Sequence, residues 1–170
     1  MKKKIVLIIT IVVCIVSVSA NVYQHRVIQN KDAQIVWNQK IVDQMFQDEL
    51  VYIGDQMIRL SMCESEEKGR EIGRTLGYCS DAFNMYHSTS YGLSGKEHDV
   101  QQMVAEFRDY LDNLQSDETE WKNAKNGDLD RLHDAWSEML TQIDKGKKAR
   151  VAAASKVRQI LKNCATSPTS

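Results

Sequence analysis

Pro168 is the only proline in this 170-residue chain, and it stands in the last three residues. Eight glycines accompany it, too few turn residues for a fold built from many short strands. All-β sandwiches and barrels are therefore poor candidates, and long helices are the natural product. Apolar residues at 42% and charged residues at 26% are ordinary for a globular chain of about one domain. Neither disorder nor a disulfide-dense miniature is indicated.

The first segment has the strongest local signal. Lys2, Lys3 and Lys4 precede an apolar run from Ile5 to Ala20, which Val22 and Tyr23 extend. A basic start followed by such a run is a signal sequence, and two outcomes compete. Cleavage after Val18-Ser19-Ala20 would release a secreted chain. An uncleaved anchor over 5–23 meets the length of about 17–25 residues needed to cross a bilayer. Helix-compatible sequence continues beyond it without glycine or proline, which favours the anchor. The expectation is a single-pass cell-membrane protein with residues 1–4 in the cytoplasm and the C-terminus outside.

The remainder reads as helices. Ile28, Ile35 and Val42 fall at heptad spacing, a coiled-coil-like pattern. Phe46, Leu50, Ile53, Met57 and Leu60 then recur at three and four. A turn is expected near Ser65–Arg70, after which Ile72, Leu76, Cys79, Phe83 and Tyr86 resume the pattern. His87 to Gly95 reads as a loop. Ser94 with Glu97 has capping-box spacing for the next helix, and Val100, Met103, Val104, Phe107, Leu111 and Leu114 form its stripe. Asn126-Gly127 reads as a helix stop with Asp128 as a new N-cap. Leu129 to Ile143 and then Val151 to Leu161 read as one last stripe, and 164–170 as a polar tail. One-sided helices must pack on each other. The expected fold is all-α: an elongated, antiparallel up-down bundle of about four helices over 24–163, behind the N-terminal transmembrane helix.

Chemistry is sparse. Gly92-Leu93-Ser94-Gly95 misses the nucleophile-elbow spacing and has no strand before it. Gly69 to Arg74 lacks the ending of a phosphate loop. Asp130, His133 and Asp134 share a helix face but need ligands from another element to hold a metal. No metal, cofactor or catalytic set is therefore expected. Trp37, Trp121 and Trp136 read as core or helix-edge anchors, and Phe83, Tyr86 and Tyr91 as a weak hint of a small-ligand pocket. Cys63 and Cys79 flank Glu71 symmetrically, so a reversal there would bring them together as a disulfide. Two buried, reduced thiols are the alternative.

Charge is divided along the chain. All 23 acidic residues lie between Asp32 and Asp144, and the stretch from Arg26 to Asp144 holds 12 basic residues, the last of them Arg131. Lys145, Lys147, Lys148, Arg150, Lys156, Arg158 and Lys162 then follow without an acid. Such asymmetry speaks to partners. An anionic lipid surface is one reading of the basic helix, and local pairing with the acidic body is the other. No nucleic-acid partner is indicated. The functional expectation is a membrane-tethered, extracytoplasmic, non-enzymatic interaction or structural module that meets a protein partner or itself. The alternative is a small-ligand-binding or sensor-like bundle that signals through a partner.

Overall fold

A computed structural model describes residues 2–93 and 98–166, with side chains from Val16 onward except at positions 93, 126, 165 and 166. The described residues are helical, without a strand. In order they are α1 (Lys2–Met62), α2 (Lys68–Tyr86), α3 (Ser90–Leu93), α4 (Asp99–Ser116), α5 (Glu118–Asn123), a π-helical turn (Ala124–Asp128), α6 (Leu129–Gln142) and α7 (Lys147–Thr166). The chain forms two units, Met1–Ile41 and Val42–Ser170.

The first unit is helix throughout its described length. Its described side chains, from Val16 on, are almost all exposed, Ile28 at 56% and Ile35 at 64% among them. The heptad-spaced residues of this unit thus have no cover.

The second unit is a helical bundle. Phe46 of α1 packs near Tyr86 of α2, and Tyr52 near Tyr78, so the two run antiparallel. Arg108 of α4 lies over the Phe83 ring, and Gln101 bonds His87, which reverses direction again. Gln47 reaches Asp144, and Leu50 accepts from Trp136 of α6. Lys156 of α7 pairs with Glu138 of α6, while Arg158 pairs with Glu106 of α4. Direction therefore alternates through α1, α2, α4, α6 and α7. Two stripes read from the sequence form much of the core: Phe46, Leu50, Ile53, Met57 and Leu60 of α1, and Val100, Met103, Val104, Phe107, Leu111 and Leu114 of α4, are all buried, whereas Leu76 and Phe83 of α2, Leu140 of α6 and Val151 of α7 are only half-buried. Gly54 opens the way for Trp136, since a Cβ there would stand 3.3 Å from the indole Cδ1. The indole Nε1 in turn donates to the Leu50 carbonyl at 2.7 Å.

Several expectations need correction. Five long helices replace the expected four. The last stripe, which continues from Ile143 to Val151 at helical spacing, is cut at 143–146, where Gly146 takes φ +100°. The first interhelical turn ends at Glu67, earlier than Ser65–Arg70 implied. Asp128 makes no N-cap bond, because the π-helical turn carries α5 into α6 with Gly127 at φ +122°. The capping box of Ser94 and Glu97 lies outside the described residues.

The membrane placement does not stand either. Among the described residues no helix is long and apolar enough to cross a membrane. Most of the expected anchor, 5–15, has side chains outside the described residues. Its described remainder, Val16–Tyr23, carries Ser17, Ser19 and Asn21 between its apolar residues. The single-pass location in the cell membrane, with its N-terminus in the cytoplasm and C-terminus outside, is overturned on this finding.

Candidate functional site

Within the bundle, α1 has apolar residues on two opposite faces. One is the buried stripe from Phe46 to Leu60. The other is built from three rows at heptad spacing: Met45, Tyr52 and Arg59; Val51 and Ile58; Asp48, Asp55 and Met62. Seven residues approximate two helical turns, so each row keeps its direction. All eight are exposed, Met45 at 52% and Met62 at 76%. A helix that is apolar on both sides is one designed by its sequence to be covered on both sides. Here one side is covered and the other is open apart from Tyr52, whose ring meets Tyr78 of α2.

This concentration is specific to α1. Among the described residues every exposed large apolar side chain lies between Val16 and Met62. Trp37, expected as an anchor, is 64% exposed in the first unit. Trp121 and Trp136 are buried, as the sequence indicated. From Lys68 onward the helices close their apolar faces on each other.

The mixture of residues also matters. Asp48 accepts a hydrogen bond from Gln44 Nε2 at 2.9 Å on its own helix. Asp55 and Arg59 stand one turn apart, yet neither forms an ion pair or side-chain hydrogen bond among the described residues. The outward face thus joins apolar area to uncommitted charge of both signs. The sequence reading missed it because a second stripe on an already amphipathic helix cancels the one-sided signal.

No family model, curated protein or solved structure matches this chain. Function must therefore be read from the residues themselves.

A polar cluster ties one end of the bundle. Tyr91 donates to Asp144 Oδ1 at 2.6 Å, and Gln47 Nε2 donates to both the Tyr91 hydroxyl and Asp144. Asp43 accepts from the backbone N–H and hydroxyl of Ser90 at 2.7 and 2.6 Å. Burial and the Asp144 carboxylate push the Tyr91 phenol up to about 12, so it stays a donor. Tyr86 and Tyr91 pack their rings around Phe46, at 5.7 and 6.1 Å between centroids. Phe83 sits beneath Arg108. The three aromatics suggested as a pocket are occupied in packing and in this clamp on α3.

The basic residues of α7 are partly drawn into the fold. Arg150 is buried over the Tyr91 ring and donates to the Ile143 carbonyl. Arg158 holds Glu106 through two hydrogen bonds, and Lys156 holds Glu138. Lys147 and Lys148 line an open groove with Asp99, Val151 and Ala152. Lys145 and Lys162 are exposed. These contacts link the basic helix to the acidic body, one of the two roles its charge suggested.

Cys63, Cys79 and Cys164 are free, buried thiols. Because α2 begins at Lys68, Cys79 lies roughly 16 Å along it from the turn that holds Cys63. Burial pushes the Cys79 thiol up to about 12 and Cys164 to about 11. His133 Nδ1 meets Asp134 at 3.6 Å on the surface, and Asp130 is exposed beside them. Among the described residues no group of three potential ligands comes together for a metal ion. Elsewhere, Tyr110 has a buried hydroxyl without a partner, and its ring borders two shallow grooves of about 240 and 260 Å³.

Proposed function

We propose that this protein is a non-enzymatic interaction module: a helical bundle that holds α1 in place and presents its outward face to a protein partner. The observation that carries this reading is the confinement of exposed large apolar side chains to α1 among the described residues. Scattered apolar residues on a surface need no explanation, but a contiguous set on one element marks an interaction surface. Tyrosine, methionine and arginine are also residue types enriched in protein interfaces. Met45, Tyr52, Arg59 and Met62 supply all three from one helix face.

Site-specific photo-crosslinking in the native cell tests it. A crosslinking residue at Met45, Tyr52 or Met62 is expected to give a recurrent protein adduct. The same residue at Gln102 of α4 or Asp130 of α6, both exposed, is expected to give none. Equal adducts from all five positions, or none from α1, would remove the reading.

A further inference from the structure

We infer that the partner for the outward face of α1 is the same face of a second copy, paired antiparallel about a two-fold axis. This rests on the interaction role just proposed and names its occupant. The argument is the order of residues along the face. Let two α1 helices lie against each other in opposite directions, with the axis passing between Ile53 and Gly54. Met45 then stands opposite Met62 of the second copy. Asp48 meets Arg59 of the second copy, and Tyr52 can donate its hydroxyl toward that copy's Asp55. Val51 and Ile58, two turns apart on the same side, extend the apolar strip past each other. Two-fold symmetry repeats each of these pairs, as an isologous interface requires.

The alternative direction is penalised. In-register parallel pairing stacks Asp48 on Asp48, Asp55 on Asp55 and Arg59 on Arg59, so like charges meet three times. Charge patterns of this kind select orientation as well as partner. Within its own chain Arg59 has no ion pair among the described residues, so the second copy does not have to displace one. One unfavourable element remains. The two Asp55 carboxylates approach each other near the axis, which tempers the association. The contact runs over residues 45–62, roughly 27 Å of helix. An interface of that length belongs to the small, reversible class, with dissociation expected in the micromolar range.

Sedimentation velocity on the purified full chain across a concentration series is the test. The chain is expected to pass from monomer to dimer as concentration rises. Arg59→Asp alone and Asp48→Arg alone are each expected to weaken the dimer at least tenfold. The double variant, Asp48→Arg with Arg59→Asp, is expected to restore it, because the opposed pairs are recreated with signs exchanged. Asp55→Asn is expected to tighten it. These three positions are exposed, so circular dichroism and melting should be unchanged in every variant. A dimer that ignores both single reversals, or a double variant that is not restored, overturns the pairing. A chain that is monomeric throughout overturns self-association. Site-specific adducts to a different protein at Met45, Tyr52 or Met62 would then leave the interaction module standing with another occupant, whereas their absence would remove both.

Discussion

Phe107 shows how a single position can be read with physical content. It sits in the middle of the α4 stripe, is fully buried, and meets the Trp136 ring at 5.5 Å between centroids. Phe107→Ala removes that ring from a packed interior, and the cavity left behind adds to the lost transfer energy. The expected cost is about 3–5 kcal/mol, to be read as a lower urea midpoint with an unchanged slope. A loss below about 1 kcal/mol would mean that the site collapses without a cavity. The tryptophans show the opposite case. Trp121 and Trp136 follow the rule that an aromatic in a stripe is core, whereas Trp37 does not, because it lies in the first unit, where nearly every described side chain is exposed. Nothing in its immediate neighbours distinguishes the two situations. The buried thiols lead to a second expectation at this scale. The thiolate is the nucleophile, and burial raises the Cys79 and Cys164 thiols to about 12 and 11, so at pH 8 both remain protonated. Peptide-resolved alkylation at that pH is expected to leave Cys79 and Cys164 unmodified in the folded chain and to label both in denaturant. Rapid native labelling of Cys79 would place it at an opening.

At the scale of elements, the legible parts were those with one apolar side. Every residue of the α4 stripe and of the inward α1 stripe is buried, although Tyr110, Gln101 and Gln56 join them without having been read as core. Two things were hidden, each for a physical reason. The break between α6 and α7 falls between Ile143 and Val151, which are spaced so that a continuous helix would put both on one face. Periodicity cannot register a corner that preserves phase. Only Gly146 marked it, and a single glycine inside a helical pattern is commonly tolerated. The outward face of α1 was hidden because its rows oppose the buried stripe and dilute the one-sided signal. The corner yields a direct expectation. At φ +100° an L side chain is strained, so Gly146→Ala should cost at least about 1–2 kcal/mol. The α6–α7 pairing depends on this turn, so hydrogen exchange should rise first in residues 140–150. If Gly146→Ala has the stability of the parent, the turn relaxes to another geometry and the α6–α7 corner is not fixed by its glycine.

At the scale of the whole molecule, one side of α1 is packed into the bundle, and the proposed partner surface lies on the other. The helices from Lys68 onward leave no large apolar side chain exposed among the described residues, and the basic residues of α7 return charge to the acidic body through Arg158–Glu106 and Lys156–Glu138. The exposed Lys156–Glu138 pair contributes little, in the range of about 0–1 kcal/mol, and Arg158–Glu106 is half-buried and two-bonded, so the core carries most of the fold. Apart from Tyr52, whose ring meets Tyr78 of α2, the outward residues of α1 contribute almost nothing to that core. Replacing Met45, Val51 and Met62 together by Gln should therefore separate the two roles. Glutamine matches methionine in helix propensity and improves slightly on valine, so the backbone has no reason to unwind. The triple variant is expected to match the parent within about 0.5 kcal/mol per site in urea denaturation, since surface substitutions rarely do more. It is also expected to lose association in sedimentation and crosslinking, because the apolar strip has gone while Asp48 and Arg59 remain. Charge alone at an exposed surface does not hold two copies together. A triple variant that unfolds would show that α1 needs its outward side for the fold itself, and one that still associates would show that the apolar strip is not what the partner reads.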